Sequence, residues 1–218
     1  MNILHIDSSA RLSRSITRAL GEAFTSQWKI ERPEDKIIYR DIGTQPPEFI
    51  SEPWIAAVFT PEVKRTEEQK LLLALSDQLI DEVSSADIIL MTSPMYNYGM
   101  PAALKAWFDQ VIRVNKTFTF DLNRGDFPLE PTMSGKILVL LTSCGEFGFE
   151  TNGVRESMNH LGPHINTVSK YLGVAQTHEV RIEYQEFNDS RHLKSIERAY
   201  AALPGLISDI TEQLALPA

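Results

Sequence analysis

The chain has 218 residues, 43% apolar and 23% charged, a balance that suits a globular protein with one sizeable core. A formal net charge of −8 argues against a general nucleic-acid-binding surface. No apolar run approaches the ~18 residues of a membrane span, and a lone cysteine, Cys144, excludes an internal disulfide. The first residues, Met1 to Ser15, have no basic region before their apolar stretch and no long apolar core of a secretory signal, so a cytoplasmic protein is expected. No repeat, low-complexity tract or Pro/Gly/Ser-rich linker divides the chain, and one domain over residues 1–218 is expected.

Asn2–Ile6 reads as a short apolar strand. Asp7 to Ser15 follows as a hydroxyl-rich loop, and Ile16, Leu20, Phe24 and Trp28 then give a helical apolar face. Unpaired N–H groups and the positive dipole end at that helix start suit an anion. Ser9, Ser15 and Thr17 offer hydroxyls to it, and Arg11 or Arg14 offers charge. Neither GxGxxG nor GxxxxGK[ST] is present, so a dinucleotide fingerprint and a triphosphate loop are unsupported.

Lys36–Ile42 reads as a second strand, ended by Gly43 to Pro47. Phe49–Phe59 is weakly patterned around Trp54. Thr66 to Gln69 looks like a helix start, and Leu71–Val83 continues that helix. Asp87–Met91 is the third strand. It breaks at Thr92-Ser93-Pro94, runs through Met95-Tyr96-Asn97-Tyr98-Gly99-Met100, and restarts at Pro101 as an amphipathic helix carrying Leu104, Trp107, Phe108 and Val111.

Lys116–Asp121 alternates like a short strand, and Leu122–Ser134, with Gly125, Pro128 and Pro131, reads as a surface loop. Ile137–Leu141 is a continuous aliphatic run suited to a central buried strand. Thr142 to Gly148 closes it with small and hydroxyl side chains. Thr151–Leu172 reads as mostly helical, with a break or kink at Gly162-Pro163. Gly173–Glu183 gives a last strand, and Asp189–Leu216 a final helix interrupted near Pro204.

Strand and helix alternate throughout, which implies an α/β fold: a doubly wound five-stranded parallel sheet with helices on both faces. The order 2-1-3-4-5 is the natural arrangement for five strands, and it brings the loops after strands one, three and four to one switch point. Those three loops are the ones whose chemistry stands out. The first suits a phosphate. The other two supply amides, small side chains and aromatic faces for a flat ring. Together they fit flavin mononucleotide, FMN, better than a sugar phosphate, and a flavin carries redox chemistry itself. No catalytic triad is visible and no catalytic side chain is expected. His5, His160, His164, His178 and His192 form no HExxH, and no metal site is expected. Nothing beside Cys144 gives cause for a lowered thiol pKa.

Pro94-Met95-Tyr96-Asn97-Tyr98, followed by Pro101-Ala102-Ala103-Leu104-Lys105 and Phe108-Asp109, resembles the FMN-dependent NADH azoreductases, which are also NADH:quinone reductases. The family's loop reads PMYNF or PMYNW before a helix of the type xPxxLKxxFD. Lys116–Phe120 is similar to its GxTFRY segment, and Ser8-Ser9 with Ser15-Ile16-Thr17-Arg18 to its phosphate loop. The resemblance spans nearly the whole chain. It implies a flavodoxin-like fold, a homodimer and one FMN per subunit near the interface. It implies FMN phosphate on Ser9, Ser15, Ile16 and Thr17, the flavin edge and ribityl chain along Met95, Tyr96, Asn97 and Tyr98, and the pyrimidine side at Ser143, Cys144, Gly145 and Glu146. Phe120 and Tyr171 are implied as walls of the substrate cavity. The implied chemistry is ping-pong, from NADH through FMN to a quinone or azo compound. The family's fourth-strand loop commonly reads SRGG or SxGG, so Glu146 is a departure: a carboxylate that would disfavour the anionic reduced flavin if it faced the ring, or one that points to solvent with only its N–H used. A flavodoxin-type electron carrier without a substrate of its own is the rival reading, and a flavin-free signalling module a third. The added loop Leu122–Ser134 and the aromatic Phe118 and Phe120 favour the enzyme.

Overall fold

The structure, a computed structural model, describes residues 1–215. Its elements in chain order are β1 (Asn2–Asp7), α1 (Ile16–Glu31), β2 (Lys36–Asp41), α2 (Glu52–Phe59), α3 (Glu67–Ser85), β3 (Ile88–Pro94), α4 (Ala102–Val111), β4 (Phe118–Phe120), β5 (Leu129–Pro131), β6 (Lys136–Ser143), α5 (Gly162–Ser169), β7 (Val174–Ile182) and α6 (Ser190–Ala215). Five strands form one sheet in the order β2-β1-β3-β6-β7, every pairing parallel. With the small β4–β5 hairpin set aside, this is the expected 2-1-3-4-5 order.

Strand alternation sorts the core into two layers. Ile89 and Met91 of β3 face Leu79 and Val83 of α3 and Trp107 and Phe108 of α4. Their neighbours Ile88 and Leu90 face Phe24 and Trp28 of α1 and Leu203 and Ile207 of α6. Every residue of β6 is buried, as a strand covered on both sides requires.

Four local expectations change. Phe49–Phe59 contains a true helix, because the Ser51 hydroxyl accepts the Trp54 N–H and Pro53 occupies the first turn. The expected loop Leu122–Ser134 contributes β5, which pairs antiparallel with β4. The helix expected over Thr151–Leu172 starts only at Gly162, since Pro163 has no N–H to donate and belongs in a first turn. The Asn159 side chain caps that start by accepting the N–H groups of Leu161 and Gly162, both at 3.2 Å. The final helix runs unbroken past Pro204, whose side is exposed, while Leu203 and Ile207 stay packed on the sheet. Its expected last residue, Leu216, lies outside the described residues.

Candidate cofactor site

The strands end at different heights, and hydrogen bonds beyond their ends lace the following loops together. Ser8 N–H donates to the Thr92 carbonyl at 3.1 Å, Met95 N–H to that of Ser143 at 2.8 Å, and Cys144 N–H to that of Ile182 at 2.9 Å. The loops after β1, β3, β6 and β7 therefore form one rim at the carboxyl edge of the sheet, the edge where open α/β sheets bind ligands.

The first loop ends in the N-cap of α1. Ser15 Oγ accepts the Arg18 N–H at 3.4 Å and lies 3.5 Å from Thr17 Oγ1. The N–H groups of the first turn have no partner inside the helix, which leaves a donor cluster beside these hydroxyls. Ser9, Ser15 and Thr17 are buried, while Arg11 and Arg14 stand exposed on the flank.

The second loop is a tight turn. Tyr96 and Gly99 exchange both backbone hydrogen bonds at 3.0 Å, and the two residues between them, Asn97 (φ 47°) and Tyr98 (φ 65°), are both left-handed. Paired positive φ values define the turn that most tightly reverses a chain. Asn tolerates that region; Tyr does so at a cost. The His160 N–H donates to the Tyr98 carbonyl at 2.9 Å and braces the turn from outside.

The third loop carries Ser143 to Glu146. Cys144 is buried, with its thiol against the carbonyls of Glu146 (3.4 Å) and Ile182 (3.8 Å). Burial, then the nearby Glu183, pushes that thiol up to about 12. Glu146 points away from the loop's inner side. Tyr98 donates its hydroxyl to Glu146 Oε2 at 3.0 Å, and Arg155 Nε meets Oε1 at 3.0 Å.

A fourth loop was not among the expected site segments. Tyr184, Gln185 and Glu186 donate their backbone N–H groups to the carbonyls of Glu146, Cys144 and Gly145 at 2.9, 3.3 and 3.0 Å. The Phe147 and Tyr184 rings stack at 4.5 Å with 12° between planes, and Arg155 and Arg191 close the two ends of the stack. A side-chain Cβ at Gly145 would lie 2.7 Å from the Glu186 side chain, so a larger residue there would push the Glu186 carboxylate aside. A sequence signal existed: Tyr184 to Phe187 follows the last strand at the same sheet edge.

Between these loops lies a cavity of about 430 Å³, within the usual range for a cofactor site. Ser9, Ser15, Ile16 and Thr17 line it from the first loop, and Met95, Tyr96 and Asn97 from the second. Ser143, Cys144 and Gly145 line it from the third. Arg11, Arg14, Pro94, Gln185 and Glu186 complete the wall. Tyr98 and Glu146 are not brought into the lining; they hold each other on the outer side. Phe120 is exposed at the end of β4, and Tyr171 packs near Phe118 at 5.5 Å; neither lines the cavity. The donor set fits a flat, phosphate-bearing cofactor such as FMN. Helix N–H groups, hydroxyls and arginines gather at one end, and small side chains, an amide and an aromatic edge gather further along. Among the described residues no cluster of metal-binding side chains occurs, and no helix is long and apolar enough to cross a membrane.

Comparison with known proteins agrees with this geometry. Residues 1–204 match the model of a family described by its flavodoxin-like fold. The chain is 58% identical to the FMN-dependent NADH:quinone oxidoreductase 2 of Colwellia psychrerythraea, over 96% of this chain and 99% of that one. It is 56% identical to the protein of the same name from Idiomarina loihiensis, over 96% and 90%. Among solved structures, an azoreductase from Bacillus anthracis superposes with a TM-score of 0.84 at 19% identity, over 96% and 99% of the two chains. An FMN-dependent NADH-azoreductase from the same species, solved in complex with FMN, gives 0.83 at 14% identity, over 96% and 99%. At such identities the solved structures speak for the fold. The near relatives speak for the family: this chain belongs to the flavodoxin-like FMN-dependent NADH:quinone oxidoreductases.

Proposed function

We propose that this protein is an FMN-dependent NADH:quinone oxidoreductase that also reduces azo compounds. The carrying observation is the single cavity shared by the loops after β1, β3 and β6, with a helix N-terminus and three hydroxyls at one end. In this reading Ser9, Ser15, Ile16 and Thr17 hold the FMN phosphate. Met95, Tyr96 and Asn97 lie along the ring and ribityl chain, and Ser143, Cys144 and Gly145 face the pyrimidine side. Tyr98 and Glu146 act behind that wall rather than within it. FMN, when bound, supplies two-electron hydride chemistry between NADH and the acceptor.

The protein's part is position and electrostatics. The braced turn at Asn97 presents its amide without the ordering cost of a mobile loop. The Cys144 thiol stays protonated, so the wall beside the ring remains neutral there. The closed rim shields the reacting faces from water on the protein side. NADH and the acceptor take the same exposed opening in turn, which is the ping-pong order.

The reading extends to a homodimer with FMN near the interface, in which Phe120 and Tyr171 wall the substrate space. Phe120, Leu122, Phe127 and Leu129, all exposed on or beside the β4–β5 hairpin, support it, since a group of apolar side chains open to solvent suits cover by a second subunit. It also takes the chain as one doubly wound domain over residues 1–218, at work in the cytoplasm with its single cysteine reduced.

The test is the visible spectrum of the purified protein and NADH oxidation with menadione. Flavin absorbance with menadione-dependent turnover supports the enzyme. Bound FMN with no turnover, but reduction by a ferredoxin-type partner, would make it a carrier. A colourless protein that takes up no FMN would sink both.

A further inference from the structure

Arg18 follows the cavity-lining residues Ser15 to Thr17, yet it does not line the cavity and is only 7% exposed. Its guanidinium lies beneath the first loop. Nη2 donates to the Ser9 carbonyl at 2.7 Å and Nε to the Arg11 carbonyl at 2.9 Å. On its other side Nη2 and Nη1 meet the two Asp41 oxygens at 2.7 and 2.9 Å, and Nη1 reaches Asp7 Oδ2 at 3.2 Å and the Tyr39 hydroxyl at 2.9 Å. One buried cation thus ties the loop backbone to the ends of β1 and β2. Arg's rigid planar fork suits such a task; a lysine ammonium does not reproduce it.

Two consequences follow from elementary geometry and charge. In a trans peptide the N–H points opposite to the C=O. Drawing the Ser9 and Arg11 carbonyls inward therefore turns the N–H groups of Ala10 and Leu12 away from Arg18. The packing leaves no slack: a Cβ at Gly43 would sit 2.0 Å from the Ser9 carbonyl oxygen and 2.9 Å from Arg18 Nη2. Arg18 also offsets two carboxylates, Asp7 and Asp41, that lie directly under the loop. Without it both would face an incoming anion across a low-dielectric interior.

We propose that Arg18 is a positioning residue for the phosphate end of the cofactor site, holding the Ser9–Arg11 backbone in its anion-accepting form and offsetting part of the negative charge of the two carboxylates beneath. This rests on the FMN reading of the cavity. Arg18 acts through the loop and touches no cofactor atom.

A positioning role of this kind is specific to phosphate. The experiment compares FMN with riboflavin, which lacks the phosphate, by fluorescence titration of the full-length apoprotein as wild type, Arg18→Lys and Arg18→Met. Wild type binds FMN more tightly than riboflavin. Arg18→Met raises the FMN Kd by about 30-fold or more and the riboflavin Kd by less than about threefold. Arg18→Lys keeps the charge but loses the fork, and falls between. Equal weakening of both flavins would make Arg18 a general structural residue and overturn the proposal. So would an unchanged preference for FMN. If Arg18→Met does not fold, Arg18→Lys carries the same comparison. A wild type that shows no preference for FMN over riboflavin overturns the cofactor reading itself, and that result is visible before any variant is made.

Discussion

The Tyr98 hydroxyl donates to Glu146 Oε2 at 3.0 Å, joining the turn after β3 to the loop after β6 on the outer side of the cavity wall. Arg155 meets the other carboxylate oxygen at 3.0 Å. The Glu146 charge is thus already paired with a cation. The hydrogen bond to Glu146, and then its charge, raises the Tyr98 phenol above its ordinary value.

Glu146→Gln leaves Arg155 without its anion and is therefore expected to raise the two-electron potential of bound FMN, and to return the Tyr98 phenol toward its ordinary value. Arg155→Met leaves the carboxylate without its cation and is expected to lower that potential, because an unpaired negative charge disfavours added electrons nearby. Dye-coupled potentiometry on the three proteins measures the first effect, and ultraviolet titration of the phenol the second. A large shift in Glu146→Gln with none in Arg155→Met would contradict the pairing.

The Asn97–Tyr98 turn makes opposite predictions for its two residues. Asn97 lines the cavity and tolerates its left-handed φ. Asn97→Ala is expected to weaken FMN retention and to cost about 1 kcal/mol of stability. Tyr98→Phe, which keeps the ring and loses only the outer hydrogen bond, is expected to leave FMN affinity intact. Equilibrium dialysis and denaturant melts check both. Unchanged FMN affinity in Asn97→Ala would remove this loop from the cofactor site.

Cys144 is expected to be inert. With the thiol pushed up to about 12, only about one molecule in ten thousand carries the thiolate at pH 8. Reaction with iodoacetamide in the native state should be far slower than with a free thiol. Cys144→Ser should retain menadione-dependent NADH oxidation. Fast, stoichiometric alkylation of the folded protein would show that the loop opens.

Acid sensitivity follows from Asp7. Burial by itself raises this carboxyl, but the adjacent His5 ring and hydrogen bonds from Thr92 and Tyr39 outweigh it and hold the group at about 2, below the ordinary 3.8. A depressed acid pKa contributes stability that is fully present above the unfolded value and is lost as pH falls through the folded one. Asp7 should thus contribute roughly 2 kcal/mol above about pH 5, disappearing toward pH 2. Urea melts between pH 6 and pH 2.5, compared with Asp7→Asn, measure it. A variant with the same acid profile as the wild type would refute the assignment.

The Phe147–Tyr184 stack holds the fourth loop in place. Phe147→Leu removes a stacked aromatic pair and the Arg155 guanidinium contact on its face, and is expected to cost about 1 to 2 kcal/mol. FMN affinity should fall with it, since Gln185 and Glu186 ride on the same loop. Denaturant midpoints and FMN titration report the two effects separately.

Most of the sheet was legible because its strands are near-continuous aliphatic runs, and its helices because Leu20, Phe24 and Trp28, or Leu104, Trp107 and Val111, recur at helical spacing. The helix over Glu52–Phe59 was not, because a short helix set by a cap and a proline has little periodicity to read. The stretch from Thr151 to Leu161 carries its own turn signal, which the helical reading passes over. Its Asn152-Gly153 is a turn dipeptide whose left-handed Asn152 breaks any helix, and Asn159 and the Arg155 N–H bond to the Gly148 carbonyl fold the rest as a loop.

Three loops were readable as one site because the strand order follows from alternation of strand and helix, and that order dictates which strand ends meet. Residue identity alone carried the hydroxyls of Ser9, Ser15 and Thr17 and the Met95 to Asn97 turn. Tertiary structure decided what each neighbour does. It turned Tyr98 and Glu146 outward into a pair and buried the Cys144 thiol. It added Gln185 and Glu186 from a fourth loop, and set Arg18 beneath the first. Spacing along a chain determines faces and edges, because backbone geometry repeats. Side-chain partners separated by tens of residues, such as Tyr98 with Glu146 or Arg18 with Asp41, depend on how loops settle against one another, and no local period encodes that.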